Sequence, residues 1–533
     1  MNRRSSQLGG ARARRTLPKI GALQLAASAF VALFVIWPVA RLLIDGLSRS
    51  ALSDVMSNTR IRGIAWFTTW QAVLSTAAVL TLALPLSAAL SRSRFRGRRA
   101  AMLFAAAPFT LPTVVVGTAF LATLPGDLRQ GWFAIICAHI FFNVGMATRV
   151  LTTATEGLDH SPWEAARTLG ASPFVAWRTI TFRQLRPNLL AVASIVGTLT
   201  LTSFGTVLLL GGPSYTTVDV EIYRQALQVL RLDRAAALSV LQFALVGAVL
   251  VWTLRHESPP ASTRGRNRRA AMPLVAQIAA ATVLVGVVLT PLVALARRAL
   301  RQADGSFGFD NFRALAEVTR GSGLVDTPIT SLVVSLRTAS AAAAIAIVVG
   351  MAVVVAATRS RSLAARRIMH ALGTLPLATS AVALGLGVLL GFSSEPFAWR
   401  RSALLLPCVQ AVVCLPFVVR TILPALAGVP PALSEAAATL GASPWRAWWS
   451  VDFAVARRSI GVAIGIAFTV ALGEFGASSF LARPQTPTMP IAIARLSGRP
   501  GQVVQGQAAA LALVLGVLTM LCVGLAERTR RPR

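Results

Sequence analysis

EAARTLGASPFVAW at residues 164–177 and EAAATLGASPWRAW at residues 435–448 are two copies of one segment, and they determine how the rest of the chain is interpreted. Eleven of the fourteen positions are identical, and an offset of 271 residues relates the copies. The same offset relates residues 203–205 (Ser-Phe-Gly) to residues 474–476 (Glu-Phe-Gly). A repeat with a period of about half the chain predicts two tandem copies of one structural module.

The composition is that of a membrane protein. The chain has 533 residues, of which 55% are hydrophobic and 13% are charged, whereas soluble domains carry about 25% charged residues. Long apolar runs recur, and each is long enough for a helix that crosses a bilayer, which needs about 20 residues. We therefore predict an all-α polytopic membrane protein with about twelve transmembrane helices in two tandem six-helix domains. The runs lie near residues 20–46, 65–90, 101–124, 131–151, 188–210 and 233–254, and near 272–296, 328–357, 367–393, 402–425, 459–482 and 507–525.

The positive charge predicts the orientation of the chain. In a soluble protein a net charge of +33 would suggest nucleic-acid binding, but here the arginines cluster in short loops between the apolar runs. The positive-inside rule places such clusters in the cytoplasm, so both termini and both copies of the repeated segment are expected there. The predicted organisation is a basic cytoplasmic N-terminus (1–19), a first domain (20–254), a basic linker (255–271), a second domain (272–525) and a basic cytoplasmic tail (526–533).

Catalytic and metal-binding motifs are absent from the sequence. The four cysteines and four histidines are scattered without the spacing of a metal site. No G-x-x-x-x-G-K-[ST] phosphate loop occurs, so the chain does not bind ATP through a loop of that kind. We expect no catalytic residue, no metal and no cofactor in this chain.

The repeated segment predicts two short helices joined by a glycine. Ser161 is placed to cap the first helix, with Glu164 completing a capping box, and Gly170 to end it in a left-handed conformation. A second helix starts at Ser172, and Gly441 ends the first helix of the second copy in the same way. A single copy would fit an amphipathic helix lying in the lipid headgroups. Two nearly identical copies favour a docking surface for a protein, because lipid contact requires apolarity and not a specific residue string.

The repeated segment resembles the EAA motif of permease subunits from bacterial ATP-binding-cassette (ABC) importers. The resemblance covers nearly the whole chain and implies an EAA loop at residues 155–187 and another at 428–458. It also implies an inner-membrane translocation subunit without enzymatic activity, partnered by a separate cytoplasmic ATPase dimer and an extracytoplasmic solute-binding protein. The binding protein would meet the external segments 211–232 and 483–506. The residues implied to dock on the ATPase are Glu164, Ala165, Ala166, Leu169 and Gly170, and Glu435, Ala436, Ala437, Leu440 and Gly441.

The resemblance limits the identity of the transported solute to a small group of candidates. Fused double permeases of this length are typical of the thiamine and ferric-iron importer families. The strings at residues 129–151, 203–227 and 474–493 are similar to the thiamine permeases. The iron permeases share the EAA loops and an acidic-Phe-Gly element, so thiamine or a derivative is preferred while ferric iron and another small solute remain open.

Glu474 and Ser203 are the candidates for the solute pathway. A charge within hydrocarbon costs several kcal/mol, which makes Glu474 a functional candidate about 15 residues into its predicted span. The alternative is a carboxylate that is solvated or bonded within the bundle. Pro108, Pro112 and Pro376 are expected to kink their helices.

Two other functional classes were considered. A twelve-helix secondary transporter usually places several charged groups at the bilayer midplane, and this sequence has few there. A membrane-embedded enzyme would need a catalytic constellation, which the sequence lacks.

Overall fold

The protein is all-helical in a computed structural model, and its two halves repeat the same order of helices. The structure describes residues 20–91, 98, 102, 104–105, 107–159, 161–256, 274–360, 362–483 and 485–530. Several basic segments lie outside the described residues. They are the predicted N-terminus, nearly all of the predicted linker, residues 92–97 and 99, and the last three residues.

The first half contains twelve described helices, which end at residue 256. They are α1 (Ile20–Val31), α2 (Trp37–Gly46), α3 (Arg49–Ser57), α4 (Thr59–Ser91), α5 (Thr113–Thr123), α6 (Trp132–Glu156), α7 (Ser161–Thr168), α8 (Pro173–Ala176), α9 (Phe182–Leu201), α10 (Gly205–Leu210), α11 (Val218–Leu227) and α12 (Leu232–His256).

The second half repeats this order. Its helices are α13 (Leu274–Leu300), α14 (Asp310–Arg313), α15 (Pro328–Arg359), α16 (Leu363–Thr374), α17 (Ala381–Gly391), α18 (Leu405–Ala427), α19 (Pro431–Thr439), α20 (Pro444–Ala447), α21 (Ala454–Gly473), α22 (Ser478–Leu481), α23 (Met489–Ser497) and α24 (Gln502–Arg530). Single π-helical turns join α1 to α2 (Ala32–Ile36), α8 to α9 (Trp177–Thr181) and α20 to α21 (Trp448–Phe453).

Nine of the described helices are long and apolar enough to cross a membrane, and a tenth span is formed if one bent pair is counted. The predicted run at 459–482 is matched only in part because its helix ends at Gly473, and three other runs have no matching span, namely those at 101–124, 188–210 and 367–393. In the last of these, α16 with its 3-10 turn meets α17 at an angle of 101°. These runs are interrupted helices, and the expected effect of the prolines is confirmed: Pro108 and Pro376 lie in 3-10 turns and Pro112 directly precedes α5.

The two halves exchange their first helices. In the first half, α1 packs against α15 and α2 against α17 of the second half, while α13 of the second half packs against α5. The Trp37 indole N–H donates to the carbonyl of Gly391 at 3.1 Å. A side chain at Gly387 would place its Cβ 2.7 Å from the carbonyl oxygen of Pro38, so glycine is required for this approach. One apolar core therefore runs through both halves.

Candidate functional site

The first repeated loop has the predicted helix–glycine–helix form. Helix α7 ends at Gly170, whose φ of +85° is left-handed. The Ala171 N–H donates to the Ala166 carbonyl at 3.0 Å, as in a Schellman motif. The Ser172 hydroxyl then accepts the Val175 N–H at 3.3 Å and caps α8.

The predicted cap of α7 is wrong in one detail. Ser161 is the first helical residue and not the cap. The Asp159 carboxylate accepts its N–H at 3.0 Å and its hydroxyl at 2.8 Å. The carboxylate of Asp159, two residues earlier, therefore satisfies the first N–H of the helix.

The second loop repeats this geometry. Gly441 has φ of +83°, and the Ala442 N–H donates to the Ala437 carbonyl at 3.0 Å. The Ser443 hydroxyl accepts the Arg446 N–H at 3.3 Å. No atom lies within 4 Å of a Cβ built at either glycine, so it is the backbone conformation that requires glycine.

Both loops expose apolar side chains at equivalent positions. Leu169 and Leu440 are each 88% exposed, and Phe174 and Trp445 are 66% and 60% exposed. Exposed apolar clusters of this kind mark contact surfaces. Of the ten predicted docking residues, Ala166 and Ala437 are half-buried and the rest are exposed.

The loops are joined to the transmembrane helices by aromatic clusters and ion pairs. Trp448 packs against Trp445 and Trp449, with ring centroids 5.6 and 4.9 Å apart. The Arg359 guanidinium at the end of α15 forms an ion pair with Asp452 in the π-helical turn that leads into α21. These contacts fix the second loop to the end of α15 and to the start of α21.

The centre of the bundle is closed by aromatic rings. Phe204 and Phe475, which are equivalent under the 271-residue offset, stack on each other with centroids 5.0 Å apart. This contact places an approximate two-fold axis between the two rings. Tyr223 packs against Phe204 at 5.3 Å and against Phe480 at 6.0 Å. The rings of Phe204, Phe475, Tyr223 and Phe480 therefore form one contiguous aromatic cluster.

Glu474 is a capping residue in this structure. Helix α21 ends at Gly473, so Glu474 lies in a break and not within a continuous span as the sequence had suggested. Its carboxylate accepts the N–H groups of Ala477 at 2.8 Å and Ser478 at 2.9 Å, and the Ser478 hydroxyl. It therefore stabilises the start of α22, and it is 6% exposed.

Ser203 belongs to a buried polar chain that the sequence did not reveal. The His139 ring bonds to Ser203 at 2.9 Å and to Ser75 at 3.0 Å. Gln410 stands at the equivalent position to His139 and donates to Ser478 at 3.2 Å. The constant offset of 271 residues is the sequence signal that could have identified His139 and Gln410 as equivalent positions.

Asp219 was also missed. It is fully buried on α11, and the hydroxyl of Ser380 in the other half donates to it at 2.8 Å. Burial raises the pKa of Asp219 to about 7. Asp219 and Tyr223 are four residues apart, so both face the second half.

Comparisons with known proteins agree with this architecture. Residues 81–302 match the sequence model of the family described as "Binding-protein-dependent transport system inner membrane component". The chain is 28% identical over 516 residues to the thiamine transport system permease protein ThiP of Brucella abortus (strain 2308), with 89% of each chain covered. It is 26% identical to ThiP of Escherichia coli (strain K12), covering 80% of this chain and 81% of that protein. It is 27% identical to the probable ABC transporter permease protein y4fN of Sinorhizobium fredii, and the alignment covers 88% of this chain and 87% of that protein.

Proposed function

We propose that this chain is a translocation subunit of an ATP-driven importer in a bacterial inner membrane, and the match of residues 81–302 to the family described as "Binding-protein-dependent transport system inner membrane component" supports the proposal. The observation that carries the proposal is the twofold occurrence of an exposed, glycine-terminated docking loop. Both loops would face the cytoplasm, where each docks on one copy of a separate ATPase subunit. A solute-binding protein would deliver the solute to the opposite face.

The path from each docking loop to the central closure is nearly continuous helix. Helix α20 of the second loop, the π-helical turn and α21 together form a helical segment from Pro444 to Gly473, 30 residues long, which spans about 45 Å at 1.5 Å per residue. At its far end lies the break that carries Glu474 and Phe475. Closure of the ATPase dimer would tilt this segment and its counterpart, and would separate the Phe204 and Phe475 rings. In this proposal ATP is hydrolysed by the separate ATPase subunit, and the chain itself catalyses no covalent reaction.

Thiamine or a thiamine derivative is the solute we propose. The similarity of the chain to thiamine transport system permease proteins of two bacteria supports this choice. The aromatic rings of Phe204, Phe475 and Tyr223 lie next to two buried carboxylates, those of Asp219 and Glu474. Aromatic faces and carboxylates both attract an aromatic cation such as thiamine. Ferric iron remains the alternative solute.

Uptake measurements test the proposal. In cells lacking this chain, labelled thiamine uptake is expected to be lost and to be restored by the wild-type chain. A variant with Leu169→Ala and Leu440→Ala should insert normally but fail to restore uptake. Restoration of ferric-iron uptake alone would identify iron as the solute and would leave the proposed mechanism unchanged. Uptake that follows an ion gradient and survives ATP depletion would instead indicate a secondary transporter.

A further inference from the structure

Three adjoining recesses surround the C-terminal end of α13, and all three are lined by Arg298. The first, of about 510 Å³, lies between the halves and is lined by Arg129, Gln130 and Gln505 among others. The second, of about 570 Å³, follows the surface of α13 and adds Arg297 and Arg301. The third, of about 250 Å³, is bounded by Arg298 and Arg301. We call these four arginines the arginine cluster.

The arginine cluster has little compensating negative charge. Among the residues that the structure describes, none of the four forms an ion pair, and Asp127 is the one carboxylate lining these recesses. Asp304, in the following loop, is bonded to Ser306. The end of α2, the counterpart of α13 in the first half, differs because Arg41 there pairs with Asp45 at 3.4 Å.

The helix dipole does not account for the cluster. Cations are favoured near the last turn of a helix, which covers Arg297 and Arg298. Arg129, however, belongs to a 3-10 turn of the other half, where its Nε–H donates to the Leu124 carbonyl at 3.0 Å. Arg298 is held by a bond from its guanidinium to the Gln505 side chain at 2.7 Å. Two positioned guanidinium groups from different halves thus converge on one cavity.

We propose that the arginine cluster is a binding site for a phosphate group, held chiefly by Arg129 and Arg298. Guanidinium groups bind phosphate through paired, charge-assisted hydrogen bonds. A bound phosphate bridges the two halves and removes the mutual repulsion of the arginines. The cluster also lies at the end of α13 opposite the basic linker, where the positive-inside rule gives no reason for it under the proposed orientation.

The surroundings indicate two sources for the phosphate. In the second recess a stripe of α13 runs from Arg297 toward Gly286 through Val293 and Leu289, which are 45% and 44% exposed. An apolar groove below a basic cluster fits the acyl chain and headgroup of an anionic phospholipid. The first recess is polar, with Thr118 and Ser497 joined across the halves at 3.4 Å, and fits a soluble phosphorylated molecule.

Direct binding to the purified full-length chain in uncharged detergent tests the site. The probes are inorganic pyrophosphate, dioctanoyl phosphatidylglycerol and, as a zwitterionic control, dioctanoyl phosphatidylcholine. Binding is measured by the shift in unfolding midpoint and by native mass spectrometry. The test variant carries Arg129→Gln and Arg298→Gln, and the matched control is Arg41→Gln, which removes a paired arginine from the equivalent helix end.

We expect saturable binding of at least one anionic probe, weakened about tenfold or more in the double variant and unchanged in Arg41→Gln. Preference for phosphatidylglycerol identifies a lipid, and preference for pyrophosphate identifies a soluble phosphate. Unfolding midpoints measured without probe show whether the variants fold. The proposal is overturned if neither anionic probe binds saturably, or if the folded double variant binds as the wild type does. It does not depend on the docking of an ATPase or on the identity of the solute.

Discussion

Replacing Gly170 and Gly441 with alanine is expected to weaken ATPase docking through the backbone alone. Their φ values of +85° and +83° lie in the left-handed region, where a Cβ costs roughly 1–2 kcal/mol. No atom lies within 4 Å of a Cβ built at either position, so no steric overlap adds to this cost. Each substitution should lower the population of the docking conformation by a factor of about 5 to 30.

The assay is the affinity of the purified ATPase for the chain reconstituted in nanodiscs. Asparagine tolerates the left-handed conformation better than alanine, so Gly441→Asn should retain more affinity than Gly441→Ala. Gly247→Ala is the matched control, because this glycine lies within α12 with open space around it. Equal affinity of the alanine variants and the wild type would refute the reasoning, and so would an asparagine variant as weak as the alanine variant.

Three further predictions concern the docking face and the central closure. Leu440→Ala should change the free energy of unfolding by less than about 0.5 kcal/mol, since the side chain is 88% exposed, yet reduce ATPase affinity severalfold; a matching loss of thermal stability would contradict this. Gly205→Ala should lower stability by about 1–3 kcal/mol, because its Cβ would lie 2.4 Å from the Thr113 hydroxyl; an unchanged unfolding midpoint would contradict that overlap. Asp219→Asn should raise the unfolding midpoint more at pH 8 than at pH 5. Burial raises this pKa from 3.8 to about 7, so the folded state keeps a proton that the unfolded state releases, and wild-type stability falls progressively between pH 3.8 and about 7, at about 1.4 kcal/mol per pH unit. Asparagine carries no titrating proton and avoids this loss; parallel pH profiles of variant and wild type would argue against this.

Features with a local cause could be predicted from the sequence. Gly170 and Gly441 end their helices as expected because a left-handed residue is a local requirement that glycine meets. Eight of the apolar runs coincide with candidate spans because hydrophobic length alone determines a span, whereas the run at 459–482 continues past the break at Glu474. The prolines at 108, 112 and 376 lie at helix interruptions, whereas Pro85 and Pro187 lie inside continuous helices, so proline alone does not predict where a helix breaks.

Features that depend on contacts between the halves could not be predicted. Helices α1 and α13 each pack against the opposite half, and the hydrophobic pattern of these helices does not indicate which half they contact. Asp219 lies in a segment that the sequence predicts to be external, and its burial follows from the approach of Ser380, which is 161 residues away in the chain. Glu474 was weighed as a pathway group or a bonded carboxylate; in this structure it caps α22, and its part in transport remains a prediction. The cap at Asp159 was missed because several polar residues precede α7 and any of them fits the pattern.

The intact mass of the complex isolated from native membranes through a tag on this chain tests the central claim most directly. We expect one copy of the chain with two copies of an ATP-hydrolysing subunit. We also expect these subunits to be lost when Leu169 and Leu440 are both replaced by alanine. A complex without an ATPase, or one whose ATPase content is unaffected by the double replacement, would contradict it.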